Sequence, residues 1–267
     1  MSRTGKSEAR DSDIAPRRND QFVEAFAKGL LVIKSFPLRR DSATLAEVAQ
    51  AAGIPRATAR RMLLTLVELG YVAQDADHFS LTPRLLELGF VYLNSVPFYR
   101  TAQDTLEALS EEINELCSLS VLDGNETVYL VHVQGRDFLR RGMGVGTRLP
   151  AYATSMGRVL LAGRPPAESE GILKASALER LTPNTTADLA ELTRLIDRAR
   201  RDGYSLVVEE LVAGVIGMSV PVKDSRGNVV AAAGISFNPS RFKKRDALDT
   251  CLPLLRKAAD SIGLKLP

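Results

Sequence analysis

The first third of the chain alternates helical periodicity with short polar breaks. After a polar stretch over residues 1–20, predicted to be a flexible arm, the run QFVEAFAKGLLVIKSF spaces its apolar side chains along one helix face. A T-x-x-E capping box at Thr44 opens a second helix, which Gly53 stops. Pro55, predicted at the first position of a third helix, begins a segment that Gly70 closes.

The periodicity then changes. The segment YVAQDADHFSL places two β-prone runs around an Asp-Ala-Asp turn and predicts a hairpin. Thr82 and Pro83 then resemble an N-cap and a first helical turn, opening a helix that Pro97 ends. Apolar residues cover much of its circumference, so we expect a linker and dimerisation helix. The predicted boundaries are 21–82 for an N-terminal domain and 83–97 for the linker.

The remainder, residues 98–267, shows the pattern of a mixed α/β domain. An Asp-Gly-Asn turn separates two β-prone runs over 118–133, and further strands are predicted over 216–222 and 229–237. Amphipathic periodicity predicts helices over 102–116, 153–162, 188–202 and about 244–262.

The second and third predicted helices, joined by a short glycine turn, have the layout of a helix-turn-helix. Apolar residues of the third helix recur on the face that packs inward, at Ala59, Met62, Leu63, Leu66 and Val67. The other side carries the candidate DNA contacts Arg56, Thr58, Arg60 and Arg61, in the half that enters a major groove. Guanidinium groups bind guanine edges or phosphates through paired donors. The alternative is a solvated helix face, but the capping box, glycine turn and hairpin favour DNA binding.

The predicted wing is unusual at its tip. Asp75 and Asp77 lie where a winged motif usually offers its hairpin to the phosphate backbone, which repels acidic groups. Two interpretations stay open. The wing is mainly structural, or His78 and more distant basic residues make the contact.

Composition and charge limit which classes of protein the chain can belong to. The net charge is only +3, and each of the three segments carries one more basic than acidic residue, so DNA binding must rest on local placement. No apolar run is long enough for a membrane span, and the polar N-terminus lacks a signal sequence, so a cytoplasmic protein is expected. Cys117 and Cys251 are expected to be buried hydrophobes, and with two histidines no metal site or cofactor is predicted.

The chain resembles the IclR family of bacterial transcription regulators. The resemblance runs from about Phe22 to the C-terminus and is carried by LAEVAQAAGIPRATARRMLLTLVELGYV, GTRLPAYATSMGRVLLA, GYSLVVEELVAGVIGMSVPV and GNVVAAAGISF. The second of these is especially similar to the subgroup that regulates protocatechuate, 4-hydroxybenzoate and β-ketoadipate catabolism. The implied fold is α+β: a winged helix-turn-helix, a helical linker and a GAF-like α/β effector domain.

The resemblance also implies partners and a site. The partners are a palindromic operator in double-stranded DNA, a homodimer or dimer of dimers, and a small aromatic or dicarboxylic acid as effector. The family's effector site corresponds to Thr154, Ser155, Met156, Gly217, Gly234 and Ser236. Val207 and Gly217 depart from members that carry an acidic residue and a cysteine there, which suits a larger or less polar effector.

The residues give this site an independent rationale. The helix beginning near Thr154 offers free backbone N–H groups and a positive dipole end, to which Thr154 and Ser155 add hydroxyls. The alternatives are that these residues only cap the helix and that Ser236 is a turn residue. His132, on an apolar strand, is expected to be a core histidine. Five arginines lie nearby in sequence, mostly expected to be solvated and each a candidate ligand contact: Arg136, Arg140, Arg141, Arg148 and Arg158.

Two other functional classes are alternatives to a ligand-controlled regulator. An enzyme would use Cys117, Ser155 or the pair Glu209 and Glu210, but the sequence has no nucleophile elbow, phosphate loop or zinc-ligand cluster. The two glutamates, if on a strand, point to opposite faces, and no catalytic residue is predicted. The other class is an architectural DNA-binding protein without ligand control.

Overall fold

The computed structural model describes residues 21–37, 40–135, 143–238 and 247–264. The chain divides into two compact units, one ending at Gly89 and the other beginning at Phe90. This division falls inside the predicted linker. The predicted arm over 1–20, the start of the last predicted helix at 244, and Arg136, Arg140 and Arg141 lie outside the described residues. Within the described residues, no helix is long and apolar enough to cross a membrane.

The N-terminal unit contains the three predicted helices and the predicted hairpin. A two-residue strand that the sequence did not predict adds to the hairpin, giving an antiparallel sheet of order β1-β3-β2. The elements are α1 Glu24–Lys34, β1 Ala43–Thr44, α2 Leu45–Ala51, α3 Arg56–Glu68, β2 Val72–Asp75 and β3 His78–Leu81.

Local signals set the helix boundaries of this unit. The predicted capping box is confirmed: the Thr44 hydroxyl accepts from the Glu47 N–H at 3.3 Å, and the Glu47 carboxylate accepts from the Thr44 N–H at 2.8 Å. Gly53 has the left-handed φ of +64° that ends α2. Pro55 is the N-cap of α3, so the helix begins at Arg56, one residue later than predicted.

Most of the apolar face of α1 is exposed, unlike the face of a helix that packs on a core. The helix is where the periodicity predicts it, but Phe22, Val23, Phe26 and Leu30 are exposed, and Val32 is the one buried residue of α1. The small core of this unit is formed by Val32, Ala43, Val48, Leu63, Leu66, Val72 and Phe79.

The predicted linker helix begins differently from the prediction. A 3₁₀ turn over Pro83–Leu85 precedes α4, Leu86–Ser95. The Thr82 hydroxyl does not cap it, because it donates to the Gly70 carbonyl at 2.6 Å. No residue of α4 is buried within the chain.

The C-terminal unit is built on one six-stranded antiparallel sheet of order β6-β5-β4-β9-β8-β7. Its strands are β4 Leu116–Asp123, β5 Glu126–Val133, β6 Arg148–Pro150, β7 Ser205–Val208, β8 Ile216–Lys223 and β9 Val229–Phe237. Its helices are α5 Tyr99–Ile113, α6 Ser155–Ala162, α7 Pro166–Lys174, α8 Leu189–Asp202 and α9 Leu252–Gly263.

Two helix ends differ from the predicted ones. Leu116, predicted on a helix face, begins β4, because Asn114 adopts a left-handed φ of +53° and ends α5. A π-helical turn over Ala247–Cys251 precedes α9, and Pro253 in its first turn lacks the N–H that a continuous helix needs. Cys117 and Cys251 are buried as predicted, and burial raises the pKa of both thiols.

Candidate functional site

The two faces of the six-stranded sheet carry different side chains. One face packs on α5 and α9 and is apolar, with Cys117, Ile235 and Met218 opposite one another on β4, β9 and β8. The residues one position along each strand from these point to the other face, where they form one row across the sheet. This row contains polar side chains and one glycine: His132, Ser118, Gly234, Ser219 and Ser205.

Helix α6 covers this polar face through its first turn. The Ser155 and Ser219 hydroxyls are hydrogen-bonded at 2.7 Å, and both residues are buried. The Ser120 hydroxyl donates to the Met156 sulfur at 3.3 Å. Thr154 is the N-cap, and its hydroxyl accepts from the Gly157 N–H at 3.0 Å. Thr154 therefore caps the helix, as one alternative proposed.

Two glycines allow α6 to approach the sheet. A Cβ on Gly217 would lie 2.8 Å from the Ser155 hydroxyl oxygen. A Cβ on Gly234 would lie 2.7 Å from the Ser219 oxygen and 3.0 Å from Met156 Cγ, closer than such contacts normally occur. Ser236 lies beside them on the same face, directly opposite Gly217, and is half-buried.

The structure thus gathers the predicted effector residues in one place. Ser155 and Met156 come from α6, while Gly217, Gly234 and Ser236 come from β8 and β9. Their role in binding stays a prediction. The neighbouring apolar residues form a small cluster of Tyr129, Leu149, Met156, Val159, Leu160 and Ala232.

Arg158 is an exception to the expectation that most of the five arginines are solvated. It is 2% exposed, and its two terminal nitrogens donate to the two Glu210 carboxylate oxygens at 2.8 and 2.6 Å. Its Nε donates to the Tyr152 carbonyl at 2.9 Å. Glu210 also accepts from the Thr186 N–H at 2.8 Å. This guanidinium is therefore neutralised and fixes α6 to the loop after β7.

Glu210 was missed because the prediction treated it and Glu209 as possible strand residues. Strand β7 ends at Val208, and Glu209 begins the loop with a left-handed φ of +54°. The Glu209 carboxylate accepts from the Gly214 N–H at 2.7 Å, within the same loop. The Arg158 contact spans 52 residues, and nothing local in the sequence indicates it.

Arg148, the other described candidate, is also engaged. It forms ion pairs with Asp123 and Glu126 at 2.8 and 2.7 Å, and these bonds raise its pKa. Neither Arg148 nor Arg158 is free to neutralise an anion on the polar face.

His132 is half-buried rather than a full core residue. Its Nδ1 lies 3.1 Å from the Ser118 hydroxyl oxygen, and its ring stacks on Tyr129 at 5.3 Å between centroids. Burial lowers the pKa of the imidazole, which favours the neutral form. A register shift between Leu119 and Ser120 puts Tyr129 and His132 on one face although they are three residues apart.

The N-terminal unit contains the second candidate surface. On α3 the predicted inward face is confirmed, with Ala59, Leu63 and Leu66 buried. On the opposite side Arg56, Arg60 and Arg61 are exposed, and Thr58 is half-buried. Across the described ranges, no ion pair engages these three arginines.

The wing tip is acidic as predicted. Ala76 and Asp77 form the turn between β2 and β3, with a left-handed φ of +52° at Ala76. The Asp77 carboxylate contacts His78 Nδ1 at 2.8 Å, and both side chains are exposed. This pair places a carboxylate, a hydrogen-bond acceptor, at the wing tip.

Comparison with known proteins identifies the family. A model described as "IclR helix-turn-helix domain" matches residues 25–76, and one described as "Bacterial transcriptional regulator IclR C-terminal" matches residues 90–264. The chain belongs to the IclR family. The predicted α+β fold, with a helix-turn-helix and an α/β ligand-binding domain, is confirmed by these matches.

Individual IclR relatives extend the comparison. The Pca regulon regulatory protein of Pseudomonas putida is 34% identical over 239 residues, covering 89% of this chain and 82% of the relative. The p-hydroxybenzoate hydroxylase transcriptional activator of Acinetobacter baylyi is 34% identical over 250 residues, covering 92% of each chain. An IclR homologue from Microbacterium hydrocarbonoxydans, solved in complex with 4-hydroxybenzoate, has a TM-score of 0.79 at 27% identity, covering 91% of this chain and 98% of that one.

These relatives confirm the resemblance to the protocatechuate and 4-hydroxybenzoate subgroup of the IclR family. They are transcription regulators, not enzymes. The chain is therefore a DNA-binding transcription regulator with a ligand-binding domain.

Proposed function

We propose that this regulator binds an aromatic carboxylic acid between α6 and the polar sheet face, and that the bound acid controls its affinity for an operator. The observation that carries the proposal is the polar row beneath the first turn of α6. Buried serines and bare glycine backbone on one face of a sheet are unusual in a domain core, because buried hydroxyls need partners.

The first turn of α6 suits a carboxylate. Thr154 already accepts from the Gly157 N–H, so the N–H groups offered to a ligand are those of Ser155 and Met156, at the positive end of the helix dipole. Ser155, Ser219 and Ser236 add hydroxyl donors close by. Because Arg158 is neutralised by Glu210, the carboxylate would be held by dipoles and hydroxyls, replacing the Ser155 to Ser219 hydrogen bond.

An aromatic ring suits the remainder of the site. Tyr129, Leu160 and the flexible Met156 side chain provide apolar surface next to the serines. The Pca and p-hydroxybenzoate regulators and the 4-hydroxybenzoate complex are relatives of this chain, which supports the same ligand class here. An aliphatic dicarboxylic acid is the second ligand class that a screen should contain.

DNA binding is assigned to the exposed side of α3. Arg56, Arg60 and Arg61 with Thr58 would contact bases and phosphates in a major groove. Apolar residues exposed on α1 and α4, such as Phe26, Phe90 and Val91, support pairing with a second copy of the chain. A dimer, or a dimer of dimers, would match a palindromic operator.

A ligand screen tests the effector assignment. Thermal shifts of the full chain are measured with 4-hydroxybenzoate, protocatechuate, β-ketoadipate and neutral analogues, and each hit is added to an operator-binding assay. A hydroxylated aromatic acid should raise Tm and change operator affinity. If no acid does either, the effector assignment fails and the architectural interpretation replaces it. Turnover of a ligand, detected by mass, would contradict a role as regulator alone.

Substitution of Arg60 tests the DNA surface. Arg60→Ala should lose about 1–3 kcal/mol of operator affinity if the side chain pairs with a guanine. Arg201→Ala, an exposed arginine at the end of α8, is the matched control. A loss on the operator alone assigns base contact to Arg60, whereas a uniform loss on all DNA assigns phosphate contact. Unchanged affinity would show that Arg60 does not contact DNA.

A further inference from the structure

One polar atom on the α6 side of the sheet has no explained role. The Nε2 of His132 is buried and has no hydrogen-bond partner among the residues that the structure describes, while Nδ1 of the same ring bonds to the Ser118 hydroxyl. Leaving a buried nitrogen unsatisfied destabilises a protein, and such atoms in native structures often mark functional groups.

The position of His132 relates it to the proposed site. It begins the row that continues through Ser118, Gly234 and Ser219, and Ser219 contacts Ser155 at the start of α6. The Ser219 hydroxyl lies over Gly234 of β9, since a Cβ there would be 2.7 Å from its oxygen. Neighbouring strands are about 4.8 Å apart, so this hydroxyl is about 10 Å, two strand spacings, from β5. A benzoate whose carboxylate lies at the α6 end would direct its ring substituents along this row.

The chemistry of the imidazole favours a hydroxyl as partner. The neutral ring has one donor and one acceptor nitrogen, and the Ser118 hydroxyl is compatible with either assignment. A phenolic hydroxyl both donates and accepts, so it satisfies Nε2 in both tautomers. A second carboxylate would need Nε2 to donate and would add a buried negative charge without a countercharge. The flat face of Tyr129, stacked on the imidazole, keeps the ring orientation fixed.

We propose that His132 is a specificity-determining residue of the effector site, whose Nε2 hydrogen-bonds to the ring hydroxyl of a hydroxylated aromatic acid. This inference rests on the proposed function. It adds the ligand substituent that is recognised and the residue that recognises it.

Calorimetry with paired ligands tests the inference. 4-Hydroxybenzoate and benzoate are titrated into the wild type, His132→Phe and His132→Gln, all as full chains, with His78→Phe on the wing as control. The His132→Phe variant should lose about tenfold in affinity for 4-hydroxybenzoate and little for benzoate. His132→Gln, which keeps a polar group, should recover part of the loss. Equal losses for both ligands, or none, overturn the role of His132.

The wild-type titrations distinguish the proposed aromatic effector from the proposed role of His132. If wild-type protein binds neither benzoate nor 4-hydroxybenzoate, the proposed aromatic effector fails. If it binds both equally well, the proposed effector site stands, but the proposal that His132 recognises the ring hydroxyl fails.

A second measurement does not depend on how the variants fold. The sequence contains two histidines, His78 and His132, so ¹⁵N-histidine labelling gives two imidazoles that are easily assigned. The Nε2 resonance of His132 should shift when 4-hydroxybenzoate is added and should not shift with benzoate, while His78 stays constant. An unchanged His132 resonance at saturating 4-hydroxybenzoate overturns the proposal.

Discussion

The two faces of the six-stranded sheet are made by the same strands but differ in chemistry. Toward α5 and α9 lie side chains such as Leu119, Met218 and Ile235, all buried in one apolar cluster. Toward α6 lie Ser219 and Gly234, one register position away. Because side chains alternate along a strand, neighbouring residues serve the two faces separately. The apolar face stabilises the domain, whereas the polar face carries the hydroxyl donors that we propose for ligand binding.

The largest expected effect concerns the buried ion pair between Arg158 and Glu210 on the α6 side. Arg158→Met leaves the Glu210 carboxylate buried without its partner and should reduce the free energy of unfolding by about 3–5 kcal/mol. The double variant Arg158→Met with Glu210→Leu should recover most of this loss. Urea unfolding measures both. A single variant as stable as the wild type would contradict the structural role of the pair.

Truncation on the apolar face comes next. Leu255 of α9 is fully buried in the apolar cluster, so Leu255→Ala should reduce the free energy of unfolding by about 2–5 kcal/mol. The same variant, assayed where it is still folded, should keep the wild-type effector affinity. A selective loss of effector binding would show that the two faces do not have separate roles.

A methyl group on the polar face should act on binding and stability together. In Gly234→Ala the new Cβ would overlap Met156 and Ser219, which should cost about 1–3 kcal/mol of stability and weaken effector binding. Gly171→Ala is the control, since a Cβ there meets nothing within 4 Å on helix α7. This control should be neutral or stabilise the protein by about 0.4–1 kcal/mol. Thermal melts with and without ligand measure both variants.

Local signals in the sequence predicted most elements of this fold. The capping box at Thr44 and the glycine at Gly53 fix α2 through contacts within a few residues. The serines of β4 and β8 alternate with apolar residues, so the polar face was readable from the sequence although the prediction did not use Ser118 or Ser219.

Features that depend on distant contacts were missed. Strand β1 has two residues and exists only by pairing with β3. The burial of Arg158 depends on Glu210, 52 residues away, and periodicity within one segment does not predict it. The exposure of Phe26 on α1 was also missed, because an amphipathic pattern does not reveal what covers the apolar face.

The smallest expected effect is the pH dependence from His132. Burial lowers the pKa of this imidazole, so the unfolded chain binds a proton at a higher pH than the native protein does. Its contribution to stability is therefore fully present above the ordinary pKa of about 6.5 and is lost as pH falls below that value. Unfolding of wild type and His132→Phe at pH 7.5 and 5.5 measures this. The stability difference between the two proteins should shift in favour of the variant at the lower pH, and a constant difference would contradict the lowered pKa.

Hydrogen–deuterium exchange of the full chain, with and without 4-hydroxybenzoate, tests most directly whether the polar face is the effector site. Bound acid should slow exchange in peptides covering the first turn of α6 and strands β8 and β9, since ligand contact suppresses local opening. Peptides of α5 and α9, on the apolar face, should change less. Saturation binding that protects α5 and α9 and leaves α6 unchanged would contradict the account.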